Sequence, residues 1–290
     1  MTLLRIGVVQ TSMSNDRDSN IQKIEDGIRE AANAGAQLVV TPELFESLYF
    51  PQQINERGFS LAHPVENHPW IPRMQALAKE LGVVLPISFY EFDPSVHGDK
   101  PAGFFNSLIM IDADGSALGV YRKTHIPSGP GYEEKTYFEP GNTGFRTWQT
   151  RYGRVGTGIC WDQWFPESAR AMALQGADVI VYPTAIGTEP PEPHLDSRDP
   201  WRRVMIGHAV ANATPIVASN RYGVEDEITF YGSSFVADHR GDLLVDMPRD
   251  QRGVKVIEID LDELARYRKN WGFFTDRQPH QYTNLCKTRQ

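Results

Sequence analysis

Short apolar runs alternate with helix-spaced ones along the first part of the chain. Leu3–Gln10 (LLRIGVVQ) is rich in aliphatic and β-branched side chains and reads as a buried strand. In Asn20–Ala34, the residues Ile21, Ile24, Ile28 and Ala31 recur at the spacing of one helix face, and Gly35 follows as a stop. Gln37–Thr41 is a second strand, Pro69–Leu81 a helix stopped by Gly82, and Val83–Phe89 a third strand. Phe105–Ile111 and Ala117–Tyr121 are strands joined by a DADGS turn. The order then resumes with strand Arg154–Cys160, helix Pro166–Leu174 and strand Asp178–Tyr182. Helix Asp199–Ala213 follows, with Asp199 as N-cap and Pro200 at its first position. Strand Pro215–Asn220, the pair Ile228–Ala237 and Leu243–Val245, and strand Lys255–Ile259 complete the pattern.

Residues repeat along with elements. Ala34–Pro42 (AGAQLVVTP) matches Gln175–Pro183 (QGADVIVYP) at an offset of 141 residues. Phe105-Asn106-Ser107, with Asp112 and Gly115, matches Tyr231-Gly232-Ser233, with Asp238 and Gly241, at an offset of 126. Two related halves are expected, each a sheet with helices on one face. Stacking the bare faces gives an α/β fold of the four-layer α-β-β-α kind; a single open doubly wound sheet is the alternative.

Length and composition narrow this further. A chain of 290 residues has room for two domains, but no Pro- or Ser-rich linker separates the halves. Residues 1–290 are therefore expected to form one domain, with 269–290 as a C-terminal extension on its surface or on a neighbouring subunit. Apolar residues make up 40%, enough for a large core. A net charge of −8 argues against nucleic-acid or anionic-membrane binding. Two cysteines, Cys160 and Cys286, exclude a disulfide scaffold and a cysteine-rich zinc site. The N-terminus lacks the pattern of a signal peptide, and the longest apolar runs are strand-sized. A cytoplasmic protein is expected.

Cys160 is the chemically informative residue. It closes an apolar strand (VGTGIC) and precedes a turn into a helix, the placement of a nucleophile and one that favours the thiolate. A buried core cysteine would look the same. A thiol nucleophile needs a base. Glu43 stands at a comparable strand end, Glu134 lies in the Gly-rich stretch Ser128–Lys135, and Lys123 ends another strand. His125 is an alternative base, and each of these residues is also an ordinary surface charge when taken singly. His208, in mid-helix, reads as structural.

The segments TPELFESLYF (41–50), YRKTHIPSGPGYEEKTYFEPGNTGF (121–145) and GICWDQWFPE (158–167) resemble the nitrilase, or carbon–nitrogen hydrolase, superfamily. YPTAIGTEP (182–190) and WGFFTDR (271–277) extend the likeness across nearly the whole chain, toward members that act on N-carbamoyl amines. The resemblance implies a Glu43–Lys123–Cys160 triad, with Glu134 as a supporting acid. It also implies the α-β-β-α fold, no metal or organic cofactor, and homo-oligomers built from dimers.

Superfamily members that hydrolyse carbamoyl amino acids carry an arginine pair three and four residues after the nucleophile; here those positions are Gln163 and Trp164. Glu189, in the loop after strand Asp178–Tyr182, suits a terminal ammonium instead. A small cationic N-carbamoyl substrate is thus expected, with Trp161, Trp164 and Tyr132 as walls and Glu189 as the far acid. The alternatives are an amidase acting on neutral or carboxylate-bearing substrates, or a non-catalytic binding protein of the same fold.

Overall fold

The computed structural model describes residues 2–95 and 102–287. Its strands are β1 Leu3–Gln10, β2 Leu38–Val40, β3 Leu85–Asp93, β4 Gly103–Ile111, β5 Ala117–Arg122, β6 Arg146–Thr150, β7 Gly153–Thr157, β8 Val179–Thr184, β9 Ile216–Asn220, β10 Tyr222–Glu225, β11 Ile228–Tyr231, β12 Phe235–Ala237, β13 Leu243–Asp246 and β14 Gly253–Asp260. Its helices are α1 Arg17–Asn33, α2 Ile71–Leu81, α3 Glu134–Tyr137, α4 Pro166–Leu174, α5 Arg198–Asn212 and α6 Leu261–Trp271.

Two sheets of matching order result. In the first, β14-β1-β2 continues into β3-β4-β5, because Val39 N–H donates to Val84 O and Val84 N–H to Gln37 O across the β2–β3 edge. The second runs β6-β7-β8-β9-β12-β13. In each, the centre is parallel and the flanking strands are antiparallel. The edge strand β14 comes from the far end of the sequence and fills in the first half the place that β6 fills in the second. The repeats superpose in detail: Gly35 and Gly176 are both left-handed, and Ala36 N–H→Ala31 O recurs as Ala177 N–H→Met172 O. The two backbone hydrogen bonds of the Asp112–Ser116 turn recur in Asp238–Asp242.

Strand alternation builds three apolar layers. Val8, Leu38, Val40, Leu108 and Met110 meet Val155, Val179, Val181, Val217 and Val236 between the sheets. Their neighbours Val9, Val39, Ile109 and Ile111 face α1 and α2 through Ile24, Ile28, Met74 and Leu77. Ile180, Tyr182, Ile216 and Phe235 face α4 and α5 through Met172, Trp201 and Met205. This is the expected α-β-β-α sandwich. Each buried side chain of this kind contributes roughly 1.5–3 kcal/mol, so a one-residue slip of any central strand is heavily penalised.

Some boundaries differ from the sequence reading. Helix α1 starts earlier, at Arg17, because the Asp16 side chain caps it through Ser19 N–H at 3.0 Å. Helix α5 starts at Arg198, so Asp199 is not its cap but lies in its first turn, ion-paired to Arg198. The β7 strand stops at Thr157, three residues before Cys160. Helix α6, which the pattern did not predict, is nucleated by Asp260, whose carboxylate accepts from Asp262 and Glu263 N–H. Its last residue, Trp271, and beyond it Phe273, Tyr282 and Leu285 line a groove with Leu174 and Ala211 of α4 and α5.

Candidate active site

The strand ends converge at the seam between the sheets. Glu43 lies just past β2, and its N–H donates to Thr184 O at 3.3 Å, at the end of β8. Leu44 adopts a left-handed backbone (φ 43°), a strain of about 1–3 kcal/mol for a residue other than glycine. Ser88 Oγ accepts its N–H at 3.1 Å. Lys123 follows β5; its N–H donates to Asn106 O, and its carbonyl accepts from Gly141 N–H, both at 2.8 Å. Glu134 is the first residue of α3.

These three side chains are fully buried and bonded to one another. Lys123 Nζ is 2.6 Å from Glu134 Oε2, 2.9 Å from Glu134 Oε1 and 3.1 Å from Glu43 Oε1. Asn106 Nδ2 donates to Glu43 Oε1 at 2.7 Å, and the Tyr49 hydroxyl to Glu134 Oε1 at 2.5 Å. Glu43 Oε2 is buried with no hydrogen-bond partner. Burial alone would depress Lys123, but Glu134 and then Glu43 outweigh it and hold the ammonium above its ordinary range. Burial raises the Glu134 carboxyl despite the pull of Lys123.

Cys160 opens a 3₁₀ turn, Cys160–Trp164, in a left-handed conformation (φ 39°). Asp162 clamps that turn: its carboxylate accepts from Ile159 N–H at 3.0 Å, His125 N–H at 3.0 Å and the Tyr121 hydroxyl at 2.7 Å. The thiol is 3.6 Å from Ala185 O. Burial, then the charge of Glu43, pushes its pKa well above the ordinary value, with Lys123 opposing. The expectation that a helix end favours the thiolate therefore fails here. A five-residue 3₁₀ turn offers little dipole, and desolvation beside two carboxylates disfavours another negative charge. A thiol raised in this way needs a base to act as a nucleophile.

His125 is not placed to be that base. Its Nδ1 lies 2.7 Å from Asp162, and its ring stacks on Phe165 with centroids 3.6 Å apart. His208 is structural, with Nε2 at 3.1 Å from Gln163 O. Cys286 is exposed in the tail.

A cavity of about 270 Å³ reaches the thiol. Cys160, Glu134, Tyr132, Trp161, Ile186 and Glu189 line it, together with prolines of the 127–130 and 191 loops. Trp164 does not line it; that ring stands behind Trp161 (centroids 6.1 Å) and packs on the α4–α5 side. Tyr132 is anchored by Gly187 N–H and Thr188 O at 3.1 and 3.2 Å. Glu189 is half-buried, and burial followed by Glu192 raises its carboxyl. Among the described residues, no group of three or more His, Cys, Asp or Glu side chains could hold a metal ion.

Sequence reasoning missed Asn106, Tyr49, Asp162 and Ala185. Asn106 belongs to the match at an offset of 126, where its counterpart is Gly232; a polar residue facing glycine in the other copy was the available signal.

Comparisons with known proteins place the chain among relatives of known family. The family model for carbon-nitrogen hydrolases matches residues 5–269. N-carbamoylputrescine amidase of Arabidopsis thaliana is 50% identical over 97% of this chain and 94% of its own. Citrullinase of Francisella tularensis is 47% identical over 99% of both. The crystal structure of a carbon-nitrogen hydrolase from Helicobacter pylori superposes with a TM-score of 0.90 at 36% identity, covering 99% of this chain and 100% of that one.

Proposed function

The chain belongs to the carbon–nitrogen hydrolase family, and from that premise we propose that it hydrolyses N-carbamoylputrescine to putrescine, carbon dioxide and ammonia through a cysteine-linked intermediate. The observation that carries the substrate assignment is the composition of the cavity: a carboxylate, Glu189, shares it with the thiol, and no Arg, Lys or His side chain is among its lining residues. An ammonium at the end of an apolar spacer fits that lining. The N-carbamoylputrescine amidases at about half identity point the same way.

In this reading Glu43 Oε2 takes the thiol proton as Cys160 Sγ attacks the ureido carbonyl. Lys123 and the Trp161 N–H stabilise the oxyanion; that N–H is one of the first in its turn and lies outside the intrahelical ladder. Glu134 keeps Lys123 charged and aimed. Collapse expels ammonia, protonated by Glu43, and leaves an S-linked thiocarbamate. Glu43 then activates a water whose attack breaks the C–S bond and returns the proton to sulfur. The released alkyl carbamate loses carbon dioxide. Tyr132 and Trp161 wall the spacer, with Trp164 backing Trp161.

Citrulline shares the ureido end but terminates in an ammonium and a carboxylate, and a second anion beside Glu189 lacks a cation to face. Ammonia release measured in parallel from N-carbamoylputrescine, citrulline and N-carbamoyl-β-alanine tests the assignment. Preference for either carboxylate-bearing compound would overturn it.

Residues 1–290 act as one catalytic unit in this account, since Glu43, Lys123 and Glu134 come from the first half and Cys160 and Glu189 from the second. Among the described residues no helix is long and apolar enough to cross a membrane. Two free thiols support a reducing, cytoplasmic setting. Exposed Leu174, Trp271 and Leu285 around the tail groove support assembly of copies of the chain.

A further inference from the structure

Arg221 and Glu225 form a buried ion pair at 2.9 Å. Both come from the second half: Arg221 follows β9, and Glu225 ends β10. Their other partners lie in the first. Arg221 Nη2 donates to Glu43 O at 2.6 Å and to Leu44 O at 2.9 Å, and Nη1 to Ser47 O at 3.2 Å. Glu225 Oε2 accepts the Tyr49 N–H at 2.7 Å, and the Tyr49 hydroxyl in turn donates to Glu134. One side of the pair thus holds the backbone that carries Glu43, and the other holds the residue that holds Glu134.

We propose that the Arg221–Glu225 pair is a positioning element that sets both carboxylates of the cluster, Glu43 directly and Glu134 through Tyr49, against the thiol contributed by the other half. The inference rests on the roles given above to Glu43 and Glu134. A buried ion pair is a weak stabiliser compared with apolar residues of the same volume, so stability alone does not account for it. Its geometry does: a planar guanidinium fork satisfies two adjacent carbonyls and a carboxylate at once, which an ammonium on a flexible stem cannot. The two carbonyls flank the left-handed Leu44, where the chain needs an external hold. Charge-assisted bonds in a buried seam are short and stiff, as fixing a carboxylate relative to a thiol requires.

The test uses Arg221→Lys, which keeps the buried cation, and the double variant Arg221→Met/Glu225→Met, which removes both charges together. Three quantities are read: kcat and KM on N-carbamoylputrescine, the rate of Cys160 alkylation by iodoacetamide followed on its own peptide, and the folded fraction by circular dichroism. Misplacement of a reacting group costs up to about 100-fold, so kcat per folded molecule should fall about 10- to 100-fold with KM nearly unchanged. Cys160 alkylation should slow in proportion. A kcat per folded molecule equal to wild type in either variant overturns the proposal, including where the variant is merely less stable. If the double variant does not fold, Arg221→Lys decides alone. Glu43→Gln is the control: should it leave kcat and alkylation intact, the base assignment fails and the pair has nothing to position. Should it abolish both while the Arg221 variants do not, only the pair's role is lost.

Discussion

Lys123 holds Glu43 by one oxygen only: its ammonium stands 3.1 Å from Oε1, an atom also bonded by Asn106, while Oε2 of the same buried carboxylate has no partner. The carboxylate is thereby locked in orientation with a free acceptor in reserve. Glu43→Gln preserves the shape and removes the basicity, so kcat should drop about 100- to 10,000-fold with KM little changed. Steady-state ammonia release checks this, and a variant altered in KM alone contradicts the base assignment.

Removing the cation has a second consequence. In the proposed mechanism Lys123→Ala deletes an oxyanion donor, a loss of about 100- to 1000-fold in kcat. It also strands two fully buried carboxylates, Glu43 and Glu134, and breaking a buried pair in this way costs about 3–5 kcal/mol. Thermal unfolding should therefore show a lower Tm in Lys123→Ala than in Glu43→Gln. Equal Tm values would mean that the cluster is held together by something other than its charges.

Cys160→Ala and Cys160→Ser should fold and release no measurable ammonia, whereas Cys286→Ser should match wild type, because Cys286 is exposed in the tail. Substantial turnover in either Cys160 variant would show that the thiol is not the nucleophile.

A glycine remote from the cavity should matter as much as some site residues. A Cβ on Gly141 would stand 2.0 Å from Arg122 O and 2.8 Å from Lys123 O. Backbone atoms cannot swing aside as a side-chain tip can, so Gly141→Ala must move the peptide that carries Lys123. We expect lower kcat together with lower Tm, the kinetic loss approaching 100-fold for a displacement of about 1 Å. Wild-type kinetics would mean that the chain relaxes at residue 141 without disturbing Lys123.

The sandwich was readable because its two halves repeat both pattern and residues, and the strand alternation assigns each side chain to a layer. That Glu43 and Lys123 sit just past strand ends was readable for the same reason. Asn106 and Tyr49 were not, because each joins elements far apart in sequence. Asn106 reaches Glu43 over 63 positions and Tyr49 reaches Glu134 over 85, and no local period carries such a pairing. The copies do differ at two of the positions in the cluster: Glu43 corresponds to Thr184 and Asn106 to Gly232. The protonation of Cys160 was not legible in the sequence, because burial and the charge of Glu43, not the turn that follows, dominate it. Desolvation next to two carboxylates is a property of the folded seam, which a turn into a helix does not reveal.

The site should also set an alkaline limit on stability. Burial, and then Glu43, raises Cys160 above 9.0. Burial raises Tyr49 and Tyr132 above 10.0, with Glu134 adding at Tyr49 and Glu189 at Tyr132. Lys123 lies above 10.5 because Glu134 and Glu43 outweigh its burial. Every one of these folded values exceeds the unfolded one, so above about pH 9 the native chain binds more protons than the unfolded chain. Stability from these groups is complete below that pH and is lost as pH rises through the folded values. Tm measured between about pH 7 and 11 should stay level at first and then decline from about pH 9. A Tm still rising at the alkaline end would reverse the sign of the effect.

The proposed specificity assigns the substrate ammonium to Glu189. Putrescine's four-carbon spacer sets its ammonium several ångströms beyond the reacting carbonyl, and Glu189 is the carboxylate on the cavity wall not already engaged with Lys123. A charge-assisted hydrogen bond is worth roughly 1.5–3 kcal/mol, or about 10- to 100-fold in affinity. Glu189→Gln keeps the side chain's size and its acceptor oxygen but removes the charge. It should lower kcat/KM on N-carbamoylputrescine by about that factor, mostly through KM. On N-butylurea, which has the spacer and the ureido group but no ammonium, the same substitution should change kcat/KM little. Because burial raises the Glu189 carboxyl, acidification should mimic the substitution, weakening the cationic substrate as the carboxylate takes up its proton. Equal losses on both substrates would make Glu189 a structural residue of its loop, and recognition of the ammonium would have to be sought elsewhere on the cavity wall.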